Sequence, residues 1–134
     1  MIVGLGIDIV DVRRIDALFH KFGTHFLKKI YTEQEITFCC ARNNVVNSLA
    51  KMYALKEATI KALSDAKGIK WHDMEILHDQ NGRPEVKLQG IALENLQKKA
   101  NTFSIQASVS DEQIYAVAYV LIDGTVGSFH ESIL

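Results

Sequence analysis

Two carboxylates stand in segments that otherwise consist of apolar and small residues. Asp8 interrupts the opening run IVGLGIDIV, and Glu57 lies in the run SLAKMYALKEATIKAL. A carboxylate in apolar surroundings needs a cation or several donors to compensate its charge. Lys61 follows Glu57 by four residues, so one interpretation is an ordinary helical ion pair, stabilising by about 0.2–0.5 kcal/mol. The other is that Asp8 and Glu57 meet at Mg²⁺, which takes one or two protein carboxylates and binds substrate phosphates.

The glycines beside Asp8 do not form a recognisable phosphate-binding loop. Gly4 and Gly6 lack the third glycine and the following capped helix of a dinucleotide fingerprint, and the chain contains no GxxxxGK motif. Any phosphate chemistry must therefore depend on side chains and a metal.

The run that contains Glu57 has the pattern of a buried helix, predicted from Asn47 to about Ser64. At about 100° per residue it is apolar nearly all round. Its small residues Ala50, Ala54 and Ala58 would let another backbone approach closely. We expect this face to leave surface that one small domain does not cover, and so to take part in a trimer.

The other elements indicate an α+β fold with mostly antiparallel strands, one long central helix and shorter helices. The remaining predicted elements are an opening strand, a helix at 12–22, a capped helix from Thr32 to about Arg42, a hairpin of strands 74–78 and 85–88, a helix at about 90–100, and the strands FSIQASV and YAVAYVLI. We expect one domain over 1–134, in which residues 123–134 show no clear pattern.

Composition excludes several classes of protein. The 134 residues have a net charge of -1, which argues against a broad nucleic-acid surface. No apolar run reaches the length of a membrane span, and the N-terminus lacks the features of a signal peptide. The two cysteines, Cys39 and Cys40, are neighbours, which suits neither a disulfide framework nor a zinc site. A reducing cytoplasm is the expected location.

Two motifs and their order resemble the 4'-phosphopantetheinyl transferases. They are GID at 6–8 followed by Arg14, and YALKE at 53–57 followed by Lys61. Their separation fits the short bacterial type of the family, the holo-acyl-carrier-protein synthases. NGRP at 81–84 and the closing strand pair ASVSDEQIYAVAYVLI are also similar. The resemblance covers about residues 2–122 and leaves 123–134 unassigned.

The resemblance implies an activity in fatty acid biosynthesis. Such enzymes transfer the phosphopantetheine arm of coenzyme A to a serine of apo-acyl carrier protein and release adenosine 3',5'-bisphosphate. Asp8 and Glu57 match the Mg²⁺ ligands, and Glu57 and Lys61 the catalytic positions. The coenzyme A contacts that it implies are Lys56, Lys61 and Pro84, and the carrier-protein contacts are Arg14, Arg13 and Lys21. It also implies a homotrimer with its sites at subunit interfaces.

The chain departs from the family pattern at three positions. Met52 stands where many relatives have arginine, so one basic contact is missing or supplied elsewhere. Gln106 and Asp111 stand where part of the family has histidines. A histidine-dependent mechanism therefore does not carry over, and Asp111 would instead position a water or a side chain of another subunit.

Two other functions remain open from the residues. The same carboxylates could place a water, which would make the protein a Mg²⁺-dependent hydrolase of a nucleotide or of coenzyme A. A non-catalytic module that binds acyl carrier protein through its basic helix is the other alternative. The latter is disfavoured, because a pure binder needs no buried carboxylates.

Overall fold

A long helix that crosses a three-stranded sheet forms the framework of the chain. In a computed structural model, which describes residues 1–126, a hairpin and further helices surround this framework. The strands are β1 (Ile2–Asp11), β2 (Met74–His78), β3 (Pro84–Leu88), β4 (Thr102–Asp111) and β5 (Tyr115–Thr125). The helices are α1 (Val12–Phe22), α2 (Thr24–Ile30), α3 (Glu33–Cys40), α4 (Val45–Leu63) and α5 (Gly90–Lys99), with a 3₁₀ turn at Trp71–Asp73. The predicted α+β class is confirmed.

The two faces of the main sheet have different environments. Its antiparallel strands lie in the order β1-β5-β4, and α4 packs against β1 and β5. The alternate residues Val10, Ala118 and Val120 point into the core and are buried. On the opposite face Ile7 and Ile9 are more than half exposed, at 59% and 62%. One side of β1 therefore remains an uncovered apolar surface.

Gly6 lets β1 lie directly on the backbone of α4. A Cβ atom at this position would be 1.8 Å from the carbonyl oxygen of Ala58. Ala50, Ala54 and Ala58 are fully buried. The prediction that this small-residue face stays uncovered is wrong, because the chain's own first strand covers it. Surface available to another subunit lies instead on the far side of the sheet.

The helix boundaries follow local capping. The side chain of Asn44 accepts a hydrogen bond from the backbone of Asn47 at 3.1 Å, so α4 begins at Val45, two residues earlier than predicted. The predicted capping box of Thr32 and Glu35 is present at α3. Helix α2 was not predicted. It begins immediately after Gly23, whose φ of 53° turns the chain out of α1, and it is held by its buried apolar side chains.

The second sheet is the predicted hairpin of β2 and β3, with Asn81 and Gly82 in its turn. At the other end of the chain β5 continues to Thr125, where Asp123 pairs in register with Ile2. The first residues of the expected patternless tail thus belong to the sheet, and residues 127–134 lie outside the described part. Within residues 1–126 no helix has the length and apolar character to cross a membrane.

Candidate active site

Asp8 and Lys61 meet between β1 and α4. Asp8 is on the inward side of its strand, and its side chain is 15% exposed. The Nζ atom of Lys61 lies 3.3 Å from Asp8 Oδ1 and donates to the carbonyl oxygen of Ile7 at 2.9 Å. The ion pair of Lys61 in the described residues is therefore with Asp8, not with Glu57 on its own helix. Asp8 thus has a cation beside it.

Glu57 lies in the electrostatic field of Asp8. Burial raises the pKa of Glu57, the negative charge of Asp8 raises it further, and Lys61 and Arg14 oppose the shift. Lys61, one turn after Glu57 on α4, lies 3.3 Å from Asp8 on β1, so both carboxylates border the contact between these two elements. A second cation between them would relieve their mutual repulsion.

Arg14 and Tyr53 border the same site. Arg14 Nη2 donates to the Tyr53 hydroxyl at 3.3 Å, and the guanidinium lies 5.6 Å from the ring centroid. Burial and then the charge of Glu57 raise the pKa of Tyr53, which places the phenol beside the carboxylates. Sequence reasoning placed Tyr53 on the helix face of Glu57 and in a motif, but gave it no role in the site. Its position four residues before Glu57, on the same helix face, was the available signal.

The carboxylate pair fits a hard divalent cation. No group of three or more His, Cys, Asp or Glu side chains that could hold a metal occurs among residues 1–126. Asp8 and Glu57 alone match the one or two protein carboxylates with which Mg²⁺ is bound when phosphates and waters complete its coordination. A cation at this place would therefore depend on a phosphate-bearing substrate.

Lys56 is not available to coenzyme A, and its predicted role as a cofactor contact is wrong. The side chain is 0% exposed, and its Nζ atom lies 2.7 Å from Glu35 Oε1. It also donates to the carbonyl oxygens of Ile30 at 3.0 Å and Trp71 at 3.2 Å. Burial lowers the pKa of this ammonium group, and the charge of Glu35 opposes the shift. Adjacent motif residues point to different sides of a helix, so Glu57 reaches the site and Lys56 does not.

Pro84 lies in a pocket of about 300 Å³ between α3, α4 and the hairpin. Arg42, Lys51 and His78 also line this pocket. Burial and then the charges of Arg42 and Lys51 lower the pKa of His78, and Asp79 opposes the shift. The two basic side chains of the lining outnumber this one carboxylate, so the lining carries a net positive charge. The α4 residues of the pocket (Ser48, Met52 and Leu55) point away from Glu57 at about 3.6 residues per turn. One chain therefore does not bring Pro84 to the carboxylates.

Asp111 is tied to the start of α4. Its carboxylate accepts a hydrogen bond from Asn47 Nδ2 at 2.8 Å and lies 3.7 Å from Lys51 Nζ. This residue joins the end of β4 to the rim of the pocket. Met52, which replaces the expected arginine, is buried at 2% exposure. The positive charges at this place are those of Lys51 and Arg42.

The three predicted partner-binding residues of α1 differ in their surroundings. Arg13 is ion-paired with Asp11 at 2.7 Å, and Asp11 also caps the start of the helix. Lys21 is exposed and lies 5.3 Å from the ring centroid of Phe22. Of the three, Arg14 is the one that reaches the carboxylate site.

Comparisons with known proteins show the family and the fold of the chain. The 4'-phosphopantetheinyl transferase superfamily matches residues 4–120. A holo-[acyl-carrier-protein] synthase of Thermodesulfovibrio yellowstonii is 42% identical over 91% of the chain and 99% of the relative. The crystal structure of holo-[acyl-carrier-protein] synthase from Neisseria meningitidis superposes with a TM-score of 0.80 at 35% identity, covering 92% and 99% of the two chains. The Helicobacter pylori synthase in complex with coenzyme A gives 0.77 at 30% identity, covering 89% and 99%.

Proposed function

The chain belongs to the 4'-phosphopantetheinyl transferase superfamily, and we propose that it uses Asp8 and Glu57 to hold Mg²⁺ for phosphoryl transfer. The enzyme transfers the 4'-phosphopantetheine group of coenzyme A to a serine of apo-acyl carrier protein, giving holo-acyl carrier protein and adenosine 3',5'-bisphosphate. The contact of Lys61 with Asp8 at 3.3 Å, one helical turn after Glu57, is the observation that supports the assignment of the site, together with the raised pKa of Glu57.

In the proposed reaction the serine oxygen attacks the phosphorus that bears the pantetheine, and the bond to the leaving adenosine bisphosphate breaks. Bound Mg²⁺ supplies charge neutralisation at the pyrophosphate. Glu57 is the group to which we assign acceptance of the serine proton. Lys61, whose Nζ is 3.3 Å from Asp8, balances the negative charge that develops on the phosphate oxygens.

The nucleotide end of coenzyme A fits the positive pocket at Pro84. Arg42 and Lys51 lie at its rim, and the stacked rings of Phe38 and His78, 4.0 Å apart, form one wall. This pocket and Glu57 of the same chain lie on opposite sides of α4. We therefore assign them to two different active sites of an oligomer. Each site would combine the carboxylates of one subunit with the pocket of its neighbour.

The uncovered face of the main sheet supports a homotrimer. Leu5, Ile7 and Ile9 alternate along this face of β1 at 52–62% exposure, beside Tyr119 of β5. Such a patch is typical of a subunit interface.

Cys39 and Cys40 are both free thiols, which supports a reducing cytoplasm as the location.

We expect light scattering at working concentration to give three times the chain mass of 15.0 kDa. Ile9→Lys places a charge in the proposed interface and should lower the measured mass and the activity together. Glu85→Lys changes charge on the exposed side of β3 and serves as the control. A fully active monomer would refute the shared site.

The basic edge of α1 supports a docking surface for an acidic carrier protein. We expect Arg14→Glu to raise the KM for the carrier protein by about tenfold or more, because like charges would then meet. The KM for coenzyme A should stay nearly constant. The wild-type KM should rise with salt, and that of the variant should respond less.

Arg13→Glu is the matched comparison for this prediction. Its effect should be smaller, because Asp11 already neutralises much of the Arg13 charge in the folded chain. An unchanged carrier-protein KM for Arg14→Glu at low salt would show that this helix is not the docking surface.

One assay separates the transferase from its alternatives. The protein is incubated with apo-acyl carrier protein, coenzyme A and Mg²⁺, and the carrier protein is weighed by mass spectrometry. We expect a gain of one phosphopantetheine group. Cleavage of coenzyme A without transfer would indicate a hydrolase, and no change in either substrate would leave a binding module.

A further inference from the structure

The buried ion pair of Glu35 and Lys56 connects the helices to the hairpin. Glu35 Oε1 accepts from the backbone of Thr32 at 2.8 Å, and Oε2 accepts from the backbone of Ile76 in β2 at 2.7 Å. Both charged side chains are at most 1% exposed. The carboxylate therefore joins α3 and β2, and the ammonium group adds α4 to the same cluster.

Lys56 also contacts the backbone of Trp71. Its Nζ atom donates to the Trp71 carbonyl oxygen at 3.2 Å. The indole ring packs against Tyr53, with the ring centroids 5.3 Å apart. Tyr53 in turn receives the hydrogen bond from Arg14 and lies beside Glu57. A continuous set of contacts thus runs from the buried pair to the carboxylate site.

Stability alone does not account for this pair. Replacing a buried ion pair by neutral residues of similar size is often neutral or stabilising, whereas removing one partner leaves a lone buried charge. The pair instead connects α2, α3, α4, β2 and the 3₁₀ turn through five hydrogen bonds or ionic contacts, all between 2.7 and 3.2 Å.

We propose that Lys56 and Glu35 are positioning residues of the transferase, which hold Trp71 against Tyr53 and thereby set Tyr53 and Glu57 in the reacting geometry. This inference rests on the proposed function of the Glu57 site. The inference gives Lys56 a role in the reaction that requires no contact with the substrate. A shift of about 1 Å in a catalytic group can reduce a rate a hundredfold, so the arrangement has a measurable consequence.

The test uses the double variant Lys56→Met/Glu35→Gln, which removes both charges together. We expect its melting temperature to fall, because a glutamine accepts from only one of the two backbone N–H groups and a methionine donates to neither carbonyl. At temperatures where the variant is folded, kcat should fall about tenfold or more while the two KM values change little. Trp71 is the only tryptophan in the sequence, so its fluorescence reports the local change directly. Its emission maximum should shift in the double variant without any substrate present.

Trp71→Ala and Trp71→Phe keep the test decisive if the double variant does not fold. Trp71 is half-buried, so both should fold. Trp71→Ala should lower kcat, and Trp71→Phe should restore part of it by keeping a ring on Tyr53. Wild-type kcat in the folded double variant or in Trp71→Ala would overturn the positioning role. If the wild-type protein itself showed no transfer activity, that result would count against the proposed function alone. The fluorescence shift of the double variant would still report the contact between Lys56 and Trp71, because it is measured without substrate.

Discussion

Asp8→Ala and Glu57→Gln should each reduce the transfer rate by a hundredfold or more, on the order of the loss when one charge-stabilising group is removed from an active site. Each carboxylate is proposed to hold the cation that neutralises the pyrophosphate, and one alone would hold it weakly. The rate is measured by mass spectrometry of the carrier protein over a Mg²⁺ titration. Glu85→Gln, exposed on β3, is the control.

The same variants should remain folded without Mg²⁺, and Glu57→Gln should melt at the same temperature as the wild type or higher. The pKa of Glu57 is raised in the folded chain by burial and by Asp8. Its ionisation therefore lowers stability as the pH rises through the ordinary carboxyl range towards the raised value. The glutamine variant lacks this loss, so its advantage should grow with pH over that window. Retained transfer activity in either variant would remove that residue from the metal site.

Gly6→Ala should destabilise the fold by about 3 kcal/mol or more, at the upper end for an overpacked core. The added Cβ would lie 1.8 Å from the carbonyl oxygen of Ala58, and a backbone atom cannot turn aside as a side chain can. β1 would have to move away from α4, and Asp8 would move with it. Urea unfolding should therefore show a lower midpoint, and the residual folded protein should transfer slowly.

Gly23→Ala is the matched control for the glycine prediction. Gly23 has a φ of 53° and a ψ of -128°, but nothing lies within 4 Å of an added Cβ atom, so backbone strain of about 1–3 kcal/mol without a steric clash is expected. Equal losses in the two variants would show that the contact with Ala58 is unimportant.

Local patterns in the sequence determined much of the architecture. The apolar character of 48–63 predicts a buried helix, the Asn81-Gly82 turn predicts the hairpin, and Thr32 with Glu35 predicts the start of α3, all of which are present. These features depend on residues close together in the chain, so their signals are local. Helix α2 was missed because seven residues between Gly23 and Tyr31 give too short a periodic pattern.

Local patterns in the sequence only partly determined which residues form the site. Two carboxylates in apolar segments predict a charged site, and the charge of Asp8 on β1 does act on Glu57 of α4. The partner of Lys61 was not predictable, since the helical spacing to Glu57 competes with Asp8, more than fifty residues away in the chain. Only the packing of the strand on the helix decided between them.

The tertiary structure also decided which partners each side of α4 meets in the fold. Lys56 and Glu57 are neighbours in the sequence, yet one ends in a buried pair with Glu35 and the other beside Asp8. Pro84, for which the resemblance implies a contact with coenzyme A, lines a separate pocket on the opposite side of α4 from Glu57. Residue types and spacing indicate what chemistry is available. The side to which each residue turns depends on long-range packing, because burial and charge pairing arise only when distant elements meet.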